Sequence, residues 1–189
     1  LLVDARDGAA IARLRERKHR PHKPLAVMFA DIAALRAACR VSAAEQALLE
    51  SPAAPIVLLD RRSSDLPEAL APGNPRLGAM LPTTPLHVLL LDALGFPVVA
   101  TSGNASGVPL CADNDQALRR LAGIADAFLL HDRAIVQPLD DSVMQIAAGA
   151  PQTLRLARGL APLTLDHADD GAVLALGGHQ KNALAVGGA

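Results

Sequence analysis

Apolar positions recur along the chain in two rhythms, one helical and one strand-like. Behind Asp7, Ile11 and Leu14 fall on one side of a helix while Arg13, Arg15 and Arg17 fall elsewhere, so Asp7 reads as the cap of an amphipathic helix. Pro21 and Pro24 are expected to end it. Leu25 to Phe29 has the length of a strand. Asp31 opens a second helix through Ile32, Leu35 and Ala38, and Ser42 with Glu45, at capping-box spacing, opens a third through Leu49. Pro55 then introduces Ile56-Val57-Leu58-Leu59, a continuous apolar run typical of a buried strand.

Beyond a charged, proline-bearing loop at 60–75, Leu77 to Leu81 reads as another strand. Thr84-Pro85 is a helix start, because threonine caps and proline suits the first helical position. That helix carries Leu86, Leu89, Leu90 and Leu94 and stops at Gly95. Pro97 to Thr101 is the next strand, 102–110 a loop of small residues, and Asp113 the cap of a helix with Leu118 and Leu121. Ala127 to Leu130, Ser142 to Ala147 and Thr153 to Leu156 are strand-like, with Gly149-Ala150-Pro151 turning the last two into a hairpin. Alternating strands and helices followed by a hairpin predict an α/β domain of two or three layers built on a mixed, not purely parallel, sheet. The main domain is expected over 1–162. Asp166, Asp169, Asp170 and Gly171 mark a linker at 163–173, and Leu174-Ala175-Leu176-Gly177-Gly178 opens a further unit, 174–189, that is not completed.

Composition narrows the function. The 189 residues suffice for one ordinary domain, and the 51% hydrophobic content is mostly small aliphatic, with three Phe and neither Trp nor Tyr. A bound base would therefore rest on aliphatic side chains or on Phe29, Phe96 or Phe128. A net charge of −1 gives no global field to recruit nucleic acid. The charge is concentrated locally: Arg13, Arg15, Arg17, Lys18, Arg20 and Lys23 are six of the 18 Lys and Arg residues, opposed there only by Glu16. Cys39 and Cys111 have neither metal-ligand spacing nor a disulfide framework, which fits a reducing, cytoplasmic compartment. There is no apolar run of membrane-spanning length and no signal-peptide pattern.

Three segments carry candidate chemistry. Lys18-His19-Arg20-Pro21-His22-Lys23-Pro24-Leu25 holds three permanent cations on a proline-stiffened stretch, which suits a polyphosphate; a solvated helix end is the plainer alternative. Thr101-Ser102-Gly103-Asn104-Ala105-Ser106-Gly107 follows a strand with glycines that admit close backbone approach and with polar donors, as anion loops do and as plain turns also do. Leu139-Asp140-Asp141-Ser142-Val143 offers paired carboxylates for a metal that holds phosphates, or a solvated turn. Arg155 and Arg158 are candidates to reach the same place.

Taken in order, KHRPHKPLAVM, SPAAPIVLL, LGAMLPTTPLHVLLL, VVATSGNASGVPL, ADAFLLHDRAI, DDSVM and LRLARG resemble the YrdC-like domain of HypF-type hydrogenase-maturation carbamoyltransferases from about Arg13 to Pro162. LALGGHQKNALAV resembles the opening strand of the ATPase-like carbamoyl-transfer domain that follows in such proteins. The resemblance implies a YrdC-like twisted mixed sheet packed with helices. It also implies an enzyme that makes carbamoyl-adenylate from ATP, with Mg²⁺, and carbamate or carbamoyl phosphate. A neighbouring domain then passes the carbamoyl group to a cysteine of a hydrogenase-maturation partner protein, where it becomes the cyanide ligand of a nickel–iron centre. Zinc belongs to an upstream segment of such proteins, and neither a membrane nor nucleic acid is an expected partner. By the same resemblance Lys18, Arg20 and Lys23 are the catalytic cations, and Ser102, Asn104 and Ser106 bind nucleotide phosphates. Thr84 stands near the small substrate, and Asp141, Ser142 and Arg155 complete the site. The chain departs from the family pattern at Pro138 and Gln145, where arginines are common, and at Leu160, where tyrosine is. Losing a cation near the phosphates weakens nucleotide binding. Two other functions remain open: a threonylcarbamoyl-adenylate synthase, and a non-catalytic RNA-binding module using residues 13–23.

Overall fold

The computed structural model describes residues 1–62, 66–164, 166, 171–177 and 184–187. Its elements in chain order are β1 (Leu2–Asp4), α1 (Gly8–Arg17), β2 (Ala26–Met28), α2 (Ile32–Ala38), α3 (Ala43–Leu49), β3 (Ile56–Asp60), a 3₁₀ turn (Glu68–Leu70), β4 (Arg76–Met80), α4 (Pro85–Leu94), β5 (Val98–Ala100), α5 (Asn114–Arg120), β6 (Val143–Ala147), β7 (Ala150–Arg155), β8 (Val173–Leu176) and β9 (Leu184–Gly187). The capping signals act as their chemistry dictates. Asp7, Asp31, Thr84 and Asp113 each accept backbone N–H groups of the following turn, and Ser42 with Glu45 closes the reciprocal capping box. Gly95 ends α4 in the left-handed region at φ 69°.

Seven strands form one mixed sheet in the order β1-β5-β2-β4-β3-β6-β7, parallel at β2–β4 and β3–β6 and antiparallel elsewhere. The two-residue period of the strands then separates two faces. Val27, Val57, Ala79 and Val99 join Ile11, Leu14, Leu35 and Leu49 of the helices α1 to α3 in the main core. The opposite face carries Met28, Met80 and Val98 under Leu91 of α4. Ala26, Ile56, Leu58, Gly78 and Ala100 belong to that second face too, and there they line an open cavity.

Several expectations need correction. Helix α1 stops before either proline, in a Schellman turn. Arg20 N–H donates to Arg15 C=O and His19 N–H to Glu16 C=O, with His19 left-handed at φ 51°. Residues 127–130 form no strand among the described residues. Phe128 packs on the core, but Leu129 is 68% exposed, and the seven-stranded order has no place for the run. The late hairpin turns at Ala148-Gly149, both with positive φ, so Ala150 and Pro151 are already in β7 opposite Ala147 and Ile146. The 60–75 loop contributes Leu66, Leu70 and Ala71 to the interior. Leu2–Asp4, too short for any periodicity to show, pairs with β5. Strands β8 and β9 make a separate antiparallel pair. Asp169, Asp170 and Gly178 of the expected linker and following unit lie outside the described residues.

Candidate functional site

One wall of the cleft is built from the end of α1. Ile11, Leu14, Arg15 and Lys18 are spaced i, i+3, i+4 and i+7, so two cations share the helix's buried face, at 8% and 1% exposure. This corrects the expectation that Arg15 falls away from the side of Ile11 and Leu14. Its Nη1 donates to the carbonyls of Arg20 (2.8 Å), Pro21 (3.2 Å) and Lys23 (3.1 Å), and its Nε and Nη2 to those of Ala69 (2.8 Å) and Leu70 (3.2 Å). Lys18 directs its three N–H donors at Ser102 C=O (2.6 Å), Asn104 C=O (2.6 Å) and Asn104 Oδ1 (3.0 Å). In this arrangement Lys18 fastens the SGN loop. Arg17 is drawn away to Asp126, at 2.6 Å.

The loop after β5 answers in kind. Ser106 Oγ donates to Lys18 C=O at 2.8 Å, Ser102 Oγ to Asn104 Oδ1 at 2.6 Å, and Asn104 Nδ2 to Val108 C=O at 2.6 Å. The basic segment and the SGN loop, over eighty residues apart in sequence, are thus bonded to each other. Arg20 is half-buried and donates to the carbonyls of Lys23 (3.3 Å) and Pro24 (2.5 Å). Burial, then the positive charges of Arg15 and Arg155, make its protonated form less favourable than usual.

The facing wall comes from the β6–β7 region. Asp141 Oδ1 accepts from Arg158 Nη2 (2.9 Å) and Nε (3.2 Å), and Arg158 Nη2 also reaches Ala54 C=O at 3.0 Å. Arg155 Nη1 donates to Asp141 C=O at 3.3 Å. Gly159, at φ 80°, passes so close to Ala53 that a Cβ there would lie 2.6 Å from Ala53 Cα. Gln145, where the family pattern favours arginine, accepts from Arg76 Nη1 at 2.7 Å and is joined to Gln152.

Two adjoining cavities lie between the walls. The larger, about 570 Å³, has Lys18, Arg20, Lys23, Ser102, Asn104 and Ser106 in its lining. The smaller, about 250 Å³, has the apolar floor of Ala26, Ile56, Leu58, Gly78 and Ala100 and takes Asp141 and Arg155 at its rim. Arg20, Lys23, Ser102 and Asp140 line both. Two expected site residues stand elsewhere. Ser142 is fully buried, donating to Arg158 C=O and accepting from Ala157 N–H. Thr84 is exposed and caps α4 through His87 N–H, and it lines neither cavity. Asp140 and Arg158, candidates from the sequence pattern but outside the set the resemblance implies, both belong here: Asp140 lines the cleft and Arg158 holds the facing wall. Arg15 was under-read, although its spacing with Ile11 and Leu14 made it legible.

A cluster of cations and hydrogen-bonding loops, beside an apolar floor and two carboxylates, suits a polyanion attached to a less polar group. The Sua5/YciO/YrdC family pattern, described as telomere recombination, matches residues 1–157. A carbamoyltransferase HypF of Synechocystis is 53% identical over 98% of this chain and 25% of its own. The crystal structure of full-length HypF in its phosphate- and nucleotide-bound form matches 85% of this chain and 26% of its own, at 47% identity and a TM-score of 0.83. That of T. kodakarensis HypF matches 99% and 25%, at 36% identity and a TM-score of 0.91. The chain therefore spans about a quarter of the length of these relatives.

Proposed function

The chain belongs to the Sua5/YciO/YrdC family, and on that premise we propose that it is the adenylate-forming unit of a HypF-type carbamoyltransferase, joining a carbamoyl group to the α-phosphate of ATP. The observation that carries this reading is the convergence of Arg20, Lys23, Arg155 and the SGN loop on one cleft. The nucleotide-bound form of a HypF relative supports it. So does a HypF match over 98% of the chain, past residue 157 where the family pattern ends, which favours reading 174–189 as the start of a transfer domain.

The chemistry follows from the site. A carbamate oxygen attacks the α-phosphorus, the new O–P bond forms as the bond to the β-phosphate oxygen breaks, and the electron pair leaves with pyrophosphate. Carbamate is a weak nucleophile that carries no proton to remove, so the site's task is alignment and charge stabilisation. Arg20 and Lys23, which line both cavities, would receive the charge developing on the leaving pyrophosphate. The Ser102–Ser106 loop, fixed by Lys18, offers close backbone approach to the phosphates. The apolar floor of the smaller cavity offers the carbamoyl end a less polar surface. A magnesium ion arriving with ATP would supply charge shielding at the phosphate oxygens, and Asp140 and Asp141, which both line the smaller cavity, are the carboxylates that would hold it. The carbamoyl group then passes to a cysteine thiolate of a hydrogenase-maturation partner protein, the new C–S bond forming as the bond from the carbamoyl carbon to the phosphate oxygen breaks and AMP leaves.

Arg20→Ala tests the reading in the full-length protein. Carbamoyl-dependent ATP–pyrophosphate exchange should fall by roughly 10²–10³. Stability should fall by only about 1 kcal/mol, for two hydrogen bonds on a half-buried side chain. Exchange within about threefold of wild type would return the basic segment to a structural role. Exchange that depends on threonine would redirect the reading to threonylcarbamoyl-adenylate chemistry.

A further inference from the structure

We propose that Arg15 is a positioning residue for the nucleotide site, setting the pose of the 20–23 segment so that Arg20 and Lys23 face the cleft; the proposal rests on the nucleotide-binding reading above. Arg15 touches neither cavity. It is 8% exposed, and among the described residues no carboxylate lies within ion-pair distance of it. A buried cation without a counter-ion is a poor way to fill a core, since desolvation opposes it and an aliphatic side chain of similar volume would serve. What an aliphatic cannot do is reach five carbonyls.

Those five carbonyls come from two places. Ala69 and Leu70 belong to the 3₁₀ turn, with Leu70 fully buried, and they give the guanidinium a rigid support. Arg20, Pro21 and Lys23 supply the other three, all accepted from one nitrogen, Nη1. The cation-bearing segment has no strand or helix of its own between the end of α1 and β2. Its backbone is held to the core through Arg15, with Leu25 N–H donating to Leu70 C=O just beyond. Lysine carries the same charge but lacks the planar fork that spans both places at once. The charges of Arg15 and Arg155 both act on Arg20. An incoming polyphosphate relieves that repulsion, so affinity for it is tied to where Arg15 holds the segment.

A double-mutant cycle on the full-length protein separates positioning from general support. ATP affinity is measured by calorimetry, well below each variant's melting temperature, for wild type, Arg15→Lys, Arg20→Ala and the double variant. Arg15→Lys is expected to weaken ATP binding about tenfold or more, and by a clearly smaller factor once Arg20 is absent, the remainder acting through Lys23. Additive losses, or unchanged affinity in Arg15→Lys while Arg20→Ala weakens it, overturn the positioning role and leave the nucleotide site standing. If Arg20→Ala leaves affinity unchanged, the nucleotide reading itself fails. Should Arg15→Lys melt below the assay temperature, Arg15→Gln, which keeps two amide donors, carries the same cycle. Collapse of both variants shows a folding residue and overturns the proposal.

Discussion

The two walls of the cleft are fixed by opposite electrostatic means. On the α1 side, two buried cations, Arg15 and Lys18, bind backbone carbonyls and the Asn104 side chain, acceptors that carry no net charge. On the β6–β7 side, the cation Arg158 is paired with Asp141, a hydroxyl is buried at Ser142, and a glycine lets two backbones touch. Neutral acceptors leave the positive charge of the first wall in place, whereas the ion pair of the second nearly cancels its own. A field that must attract a polyanion needs the first arrangement. A surface that must hold a metal–phosphate group in register gains more from the second, because paired charges resist displacement when the anion enters.

Substitutions can break this contrast, and the largest effect is expected from the neutral wall. Gly159→Ala forces a left-handed alanine against Ala53, which should cost about 3–4 kcal/mol, read as a lowered urea midpoint at unchanged m-value. Gly107, also left-handed but with open space within 4 Å of where a Cβ would stand, is the control: Gly107→Ala should cost about 1 kcal/mol. Equal losses would show that close approach to Ala53 contributes nothing.

The charged wall should lose less stability and more function. Lys18→Met keeps the bulk but takes one donor from each of Ser102 C=O, Asn104 C=O and Asn104 Oδ1, the last keeping Ser102 Oγ, at about 2–3 kcal/mol. Amide exchange across 102–106 should quicken and ATP affinity should drop. Retained affinity with a loosened loop would separate the loop from the nucleotide site. The smallest effect belongs to Thr84, outside both cavities: Thr84→Ala should cost about 1 kcal/mol through the lost cap and leave ATP affinity unchanged. A fall in carbamoyl-dependent turnover with normal stability would restore Thr84 to the substrate end, where the family resemblance places it.

Much of this was open to inspection in the sequence because it is local. A cap and the N–H groups it satisfies lie within three or four residues, so Asp7, Asp31, the Ser42–Glu45 box, Thr84-Pro85 and Gly95 announced their helices. Apolar runs at 25–29, 56–59 and 77–81 announced strands for the same reason, and the order of the motifs identified the family. The run at 127–130 had equal apolar content and formed none, since a strand exists only where another strand accepts its hydrogen bonds, and no run of residues encodes its partner. The turn at Ala148-Gly149 likewise depended on the register of two strands, which side-chain chemistry in the turn alone left one residue adrift.

The sequence by itself determined the elements, the mixed α/β class and which residue types the site would draw on. Tertiary structure alone decided which of those residues face the cleft. Lys18, Arg20 and Lys23 are equivalent as cations in the sequence, yet Lys18 lines only the larger cavity and gives its donors to a loop more than eighty residues away, while Arg20 and Lys23 line both cavities. Asp140 and Asp141 are equivalent as carboxylates, yet the Asp141 carboxylate pairs with Arg158 while Asp140 lines both cavities, and Ser142 beside them is sealed in. The reason is physical: a charged side chain goes where its donors or acceptors find the best partners, and here those partners are backbone groups brought in by other strands and turns, whose positions no local pattern records.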